Sequence, residues 1–267
     1  MNQPLKFHPE PMAAESDPEG QASGGHSGPN ATRMPSWIRY ALGDARDSQY
    51  SRTARAVHER ELVTICEEGN CPNRGECWSR GTATFMILGD TCTRACGFCS
   101  VKTGKPGTAP DYGEAEKVAD ASMAMGLSYV VLTSVNRDDL PDGGAGLFAA
   151  TVNALRLRKP DMGVELLTPD FRKVVDAAVD EIAPTAPLVW GHNVETVPRL
   201  YKPVRPGSDY QRSLYVLERA AAIPQVEAKS SLMLGLGESE EEVVEAMRDL
   251  RSVGGTRLAL GQDLRPS

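Results

Sequence analysis

Apolar residues along this chain fall into short, strand-length runs separated by longer stretches with helical spacing. The runs are Thr84–Leu88, Tyr129–Thr133, Val164–Leu167, Leu188–Trp190, Val226–Leu234 and Arg257–Leu260. The helical stretches between them are Tyr112–Met125, Gly146–Leu157, Asp170–Val179, Ser208–Ala222 and Ser239–Val253. A strand-then-helix alternation of this length predicts an α/β fold, a parallel sheet with helices outside. Folds of this class carry their chemistry at the carboxyl ends of the strands. The loop after each run is therefore where functional residues are expected. Beyond this alternation no internal repeat is visible.

Two segments precede the alternation. Residues 1–33 are rich in Gly, Pro, Ser and acidic residues and contain no Ile or Val. They offer too little apolar area to offset the entropy of ordering, so they read as a disordered tail. Met1 to Glu10 lack a charged start followed by an apolar run, so no secretory signal is expected. Glu10, Glu15, Asp17 and Glu19 against Lys6 and Arg33 also argue against a transit peptide. Residues 34–82 form an N-terminal extension, and 83–267 the repeating α/β unit. Formal net charge is −7, from 29 basic and 36 acidic residues, which is not the basic excess of a nucleic-acid binder. No apolar stretch approaches the ~20 residues that span a bilayer, so no membrane is expected.

The chemistry concentrates in one window. All 6 cysteines lie between Cys66 and Cys99, in two triplets, Cys66-x4-Cys71-x5-Cys77 and Cys92-x3-Cys96-x2-Cys99. An even count permits disulfides, but those scaffolds are usually short and secreted. A closed zinc site takes four Cys or His ligands, and His58 is the only histidine near. Iron–sulfur ligation fits better. Three thiolates hold three irons of a [4Fe–4S] cube and leave the fourth iron open for something else. Reduced, cluster-bound thiols fit a cytoplasmic location. Phe98, one residue before Cys99, is placed to shield a cluster from water.

The second triplet follows directly on the first strand, in Cys92-Thr93-Arg94-Ala95-Cys96-Gly97-Phe98-Cys99. This arrangement resembles the radical S-adenosylmethionine (SAM) superfamily. The first triplet, in Cys66-Glu67-Glu68-Gly69-Asn70-Cys71-Pro72-Asn73-Arg74-Gly75-Glu76-Cys77-Trp78, is similar to the auxiliary-cluster motif of the lipoyl synthase family. So are the stretches 81–90, 134–140 and 192–197, and the resemblance runs from about Pro35 to Ser267.

The resemblance implies an open (β/α)6 partial TIM barrel of the radical SAM type with an N-terminal cluster-binding extension. It implies two [4Fe–4S] clusters and SAM as cofactors. Cys92, Cys96 and Cys99 would hold the cluster whose open iron chelates SAM; Cys66, Cys71 and Cys77 would hold a sacrificial cluster that supplies sulfur. The implied reaction inserts two sulfur atoms at C6 and C8 of an octanoyl chain on a lipoyl carrier domain or glycine cleavage H protein. SAM-derived radicals would remove the hydrogens, and flavodoxin or ferredoxin would supply electrons. The family continues into a C-terminal Arg-Ser-Ser-Tyr motif whose serine completes the auxiliary cluster. That motif is not in this sequence, and Ser267 is not assigned its role. The expectation is that the 267-residue chain binds SAM but inserts sulfur poorly.

Other candidates sit at strand ends. Ser134 and Asn136 follow the second strand, where superfamily members contact the SAM amino group; a plain turn is the alternative. Asn193 and Glu195 follow the fourth and are candidates for the ribose. Lys229 lies inside the fifth strand and needs a partner, either the SAM carboxylate or a neighbouring Asp or Glu. Met233, Gly235 and Glu238 resemble the adenine-binding strand end, or else form a turn with an acid beside a helix N-terminus. His192 reads as a turn cap, and Arg205 as an anchor for an acidic surface or an internal carboxylate. Asp138 and Asp139 lack the company of a hydrolase site. A methylthiotransferase-like enzyme is the nearest rival, but such enzymes usually append a basic domain. A non-catalytic iron–sulfur carrier would close each cluster with four cysteines and need no barrel.

Overall fold

The computed structural model describes residues 48–262 except 70, 72 and 81. The tail expected over 1–33, the start of the extension and residues 263–267 lie outside the described residues.

The extension contributes three helices, α1 (Ser48–His58), α2 (Ile65–Glu68) and α3 (Arg74–Ser79). Six strands follow, β1 (Thr84–Ile87), β2 (Tyr129–Ser134), β3 (Gly163–Leu167), β4 (Val189–Gly191), β5 (Glu227–Leu234) and β6 (Gly255–Gln262). The helices between them are α4 (Glu114–Ala124), α5 (Ala145–Arg158), α6 (Val175–Ile182), the short α7 (Tyr201–Val204), α8 (Tyr210–Ala221) and α9 (Glu240–Ser252). The sheet order is β1-β2-β3-β4-β5-β6, and every neighbouring pair is parallel. β1 and β6 are not paired, so the barrel is open. At the β1 edge Thr64 bridges Phe85, and the Met86 N–H donates to the Val63 carbonyl at 2.8 Å. The extension thereby covers one edge of the sheet, while β6 is exposed along most of its length, with Leu258 and Leu260 in the open.

Strands covered on both faces lose the polar alternation of surface strands, which is why β1, β3 and β4 read as apolar runs. Phe85, Leu132, Leu166 and Trp190 meet Phe148 and Leu155 of α5 and Val179 and Ile182 of α6 in the main core. A second cluster joins Tyr201, Tyr210, Leu217, Leu232 and Leu250 under α8 and α9. Helix starts are set locally. Asp209 accepts the Arg212 N–H at 2.8 Å to begin α8, and Ser239 with Glu242 forms a capping box at α9.

One boundary departs from the sequence reading. The helix expected over Asp170–Val179 begins at Val175. Asp170 is drawn inward as a buried ion-pair partner, and Phe171 takes a left-handed backbone (φ 44). Residues 168–174 form a loop instead.

Candidate active site

The Cys92–Cys99 loop leaves β1 at its carboxyl end and is tied down on several sides. Cys92 exchanges backbone hydrogen bonds with the returning chain: its N–H donates to the Lys102 carbonyl at 2.8 Å, and its carbonyl accepts from Gly104 at 2.9 Å. The next residue is zipped to the chain after β2. The Thr93 N–H and hydroxyl both donate to the Asn136 carbonyl, at 3.0 and 2.9 Å, and the Asp138 N–H donates to Thr93 Oγ1 at 3.1 Å. Gly97 N–H donates to the Val204 carbonyl at 2.9 Å. The Cys92 sulfur accepts the N–H groups of Arg94 and Asn136, each at 3.4 Å.

A cavity of about 310 Å³ opens over this loop. Cys92, Cys96, Cys99 and Phe98 line one side; Ser134 and Asn136 face in from β2, and His192, Asn193, Glu195 and Arg205 from beyond β4. Of the sequence candidates, Phe98, Ser134, Asn136, Asn193 and Glu195 are thus brought together with the second triplet. Glu195 holds a left-handed backbone (φ 65) that is rare for a side chain of its size. It is clipped there by β5: its N–H donates to the Ser231 carbonyl at 2.9 Å, and its carbonyl accepts from Met233 at 2.8 Å. Burial pushes its carboxyl up, with Arg205 pulling the other way.

Four candidates fall elsewhere. Lys229 does not line the cavity: its Nζ sits 2.6 Å from Glu165 Oε1, and Tyr129 donates to the other carboxylate oxygen at 2.7 Å. The neighbouring-acid alternative is the one the geometry selects. Gly235 and Gly237 take φ of 107 and 106, a turn that side chains resist. Glu238 closes this turn by accepting the Gly235 and Leu236 N–H groups at 2.6 and 2.9 Å. Met233 does not line the cavity and meets the site through its backbone bond to Glu195.

Several residues in or behind the cavity wall were not legible as site residues. Arg94, in the middle of the cysteine loop, binds Asp138 with two nitrogens (2.8 and 2.7 Å) and Asp170 at 2.6 Å. Burial opposes the charge on both Arg94 and Asp170, yet their pairing outweighs it. Asp170 is held far below the usual carboxylate range and Arg94 above its ordinary value. Asp139 pairs with Arg137 instead, so the two adjacent aspartates serve different partners. His192, read as a turn cap, is buried. Its Nδ1 donates to the Thr168 carbonyl at 2.8 Å and its Nε2 faces Ser213 at 3.0 Å. Burial, then Arg205, lowers its pKa to about 4, so it is neutral at pH 7. Arg205 donates to the Asn193 and Val194 carbonyls and the Tyr201 hydroxyl.

The first triplet rings a second cavity of about 360 Å³, with Asn73, Thr82 and Thr84 on its wall. Cys66 is on α2, Cys71 in the turn after it and Cys77 on α3; the Cys71 N–H donates to the Cys66 carbonyl at 3.2 Å. Ile65 and Gly69 line both cavities, so the α2 turn is a wall common to the two triplets.

The donor sets fit iron–sulfur clusters and a polar ligand. Burial pushes the Cys77 thiol up, and the nearby Cys66 and Cys71 push it further. Burial does the same to Cys96 and Cys99, opposed by Arg205 at Cys96 and by a backbone bond from Val101 at Cys99 and reinforced within the triplet. Thiols crowded in this way resist ionising on their own, and bound cations would relieve the repulsion between their thiolates. In the cavity over the Cys92–Cys99 loop the Ser134 hydroxyl is buried without a hydrogen-bond partner among the described residues, a polar group open to a ligand. Among the described residues no three His, Cys, Asp or Glu side chains converge on a single metal ion.

Residues 86–250 match the family model of the radical SAM superfamily. The chain is 52% identical to lipoyl synthase of Methylococcus capsulatus over 236 residues, 88% of this chain and 72% of that protein. It is 51% identical to lipoyl synthase of Methylobacillus flagellatus over 238 residues, 89% of this chain and 72% of that one. The chain belongs to the lipoyl synthase family. It is a radical SAM sulfurtransferase of lipoate biosynthesis, and lipoyl synthases use two [4Fe–4S] clusters and SAM and act on octanoylated carrier proteins. Solved structures support the fold alone. Methylornithine synthase aligns with TM-score 0.53 at 12% identity, covering 85% of this chain and 64% of that one. Streptococcus suis SuiB bound to SAM aligns with TM-score 0.54 at 11% identity, covering 73% and 46%.

Proposed function

We propose that the two cavities divide the lipoyl synthase reaction between them. Cys92, Cys96 and Cys99 hold the cluster that binds SAM, with Phe98 shielding it. Cys66, Cys71 and Cys77 hold the cluster that gives up sulfur to C6 and C8 of the octanoyl chain. The observation that carries this reading is the common wall: an acyl carbon beside Ile65 and Gly69 borders both thiol sets. Cys92, Cys96 and Cys99 would hold a cluster that, when reduced, would give SAM the electron that releases a radical from it, chemistry able to open an unactivated C–H bond, which no acid or base can do.

The protein's own residues orient and exclude water. Ser134 and Asn136 meet the amino acid end of SAM; Asn193 and Glu195 meet its ribose. Arg205 braces the loop carrying Asn193 and Glu195 through two backbone carbonyls. Met86, Val135 and Leu167 give the cavity an apolar floor suited to an alkyl chain. Met233, Gly235 and Glu238 act at one remove: they fix the β5 end that clips Glu195. Residues 34–82 serve as the cluster-bearing extension and 83–267 as the barrel. Flavodoxin or ferredoxin is the proposed electron donor, and lipoyl domains or glycine cleavage H protein the carriers. The proposed location is the cytoplasm; among the described residues no helix is long and apolar enough to cross a membrane.

Iron and sulfide analysis of anaerobically prepared protein tests the ligand sets. The expected content is about eight irons per chain. Replacing either triplet with alanine is expected to halve it. Full iron content after loss of a triplet would refute that triplet's assignment.

A further inference from the structure

The cysteine loop that follows β1 carries a charged residue at its centre, and its surroundings are unusual. The Arg94 side chain is 3% exposed and Asp170 is fully buried. The Arg94 guanidinium forks onto both oxygens of Asp138, at 2.8 and 2.7 Å, and reaches Asp170 at 2.6 Å and Ser208 at 3.2 Å. Arg212 of α8 closes the far side of Asp170, at 2.9 and 2.8 Å. Arg172 lies 3.5 Å from Asp138 at the rim. One side chain between Cys92 and Cys96 thereby fastens to the chain after β2, the chain after β3 and the chain leading into α8.

We infer that Arg94 is a positioning residue for the second cysteine triplet, with Asp138, Asp170 and Arg212 as its anchor. This builds on the proposed ligand role of Cys92, Cys96 and Cys99. Guanidinium geometry is specific to the task. A planar fork can satisfy Asp138 with two bonds and Asp170 with a third, whereas an ammonium cannot hold both carboxylates in fixed directions. Three thiols ligating one cube need their Cβ positions fixed to within a fraction of an ångström. Backbone bonds fix Cys92 and Thr93 from one side and Gly97 from the other. The residues between would otherwise be free to hinge, and Arg94 lies there.

The test follows iron leaving the anaerobically loaded full chain to a ferrous chelator, with the SAM-induced change in the EPR spectrum of the reduced cluster. The main variant is Arg94→Gln with Asp170→Asn, which removes the buried pair together, leaving Asp138 to Arg172 and Arg212 facing an amide oxygen in place of the carboxylate. It is expected to release iron from the second triplet about tenfold faster and to blunt the SAM-induced spectral change. Arg94→Lys keeps the charge without the fork and is expected to release iron about threefold faster; it also carries the test if the double variant does not fold. A matched control, Glu165→Gln with Lys229→Met, removes a different ion pair and is expected to stay within twofold of the parent. Parent-like release and spectra in the Arg94 variants would overturn the inference, as would equal acceleration in the control. The C66A/C71A/C77A chain separates the two levels of the argument. If it holds no iron, the ligand assignment fails; if it holds iron indifferent to Arg94, only this inference fails.

Discussion

The two cysteine triplets are held by different kinds of structure. The second sits in a loop fastened by bonds that reach far along the chain, from Thr93 to Asn136, Gly97 to Val204 and Arg94 to Asp138 and Asp170. The first rides on two short helices and a turn whose hydrogen bonds are nearly all local. Among the described residues its supports from outside that turn include the Val63–Met86 bond, the Thr64–Phe85 bridge, His58 facing Glu67 at 3.0 Å, the Thr53 hydroxyl donating to the Trp78 carbonyl at 3.1 Å, and Tyr50 and His58 against Trp78. A site that must hold SAM in one pose through repeated turnover benefits from a frame fixed by the whole barrel. A site that surrenders its contents has less need of one. On the proposed roles, the difference in anchoring follows the difference in chemistry.

The sharpest way to break this comparison is to remove one triplet at a time. With Cys92, Cys96 and Cys99 replaced by alanine, reductive SAM cleavage is expected to vanish, as read by 5′-deoxyadenosine formation. Retained cleavage would end the assignment. Next in size is Trp78→Ala. Trp78 is 1% exposed, so its loss is expected to destabilise the protein by roughly 3–5 kcal/mol in denaturant titration. It is also expected to loosen the first triplet more than the second, seen as faster partial iron loss.

A pH titration sharpens the account of the barrel end. The folded pKa of His192 lies at about 4, below its unfolded value. Between those values the unfolded chain binds the extra proton, so stability falls as pH drops from about 7 to 4. The expected loss is on the order of 3 kcal/mol, and His192→Gln is expected to flatten that slope in urea melts at stepped pH. Asp170, held below the usual carboxylate range, adds a further loss only at still lower pH. The smallest effect belongs to Ser239→Ala, which removes the α9 capping box at a residue that lines neither cavity. It is expected to cost about 1 kcal/mol in thermal or urea melts and to leave iron content unchanged.

The alternation of strands and helices was legible because the inner strands are covered on both faces and the helices on one, which leaves periodic marks in the sequence; β6 is exposed and read as a strand from its apolar residues alone. The cysteine spacing was legible because ligands to one cube must lie close along the chain. What escaped was long-range. Asp170 read as a helix start, and nothing local shows that Arg94, 76 residues earlier, draws it inward. Lys229 showed that it needed a partner; only the folded sheet shows that Glu165 on β3 is the one. Gly235 and Glu238 read equally as an adenine site or a turn, because both ask for glycine beside a polar group. The geometry places them in a turn behind Glu195 and outside the cavity.

The central claim is that the two triplets do separate work across a common wall. Its most direct test is the product mixture from the C66A/C71A/C77A chain, given SAM, a reductant and an octanoyl-lysine peptide. The expected result is 5′-deoxyadenosine from both this variant and the parent chain, with sulfur-bearing product, in whatever small yield, from the parent alone. Lipoyl product from the C66A/C71A/C77A chain would contradict the claim.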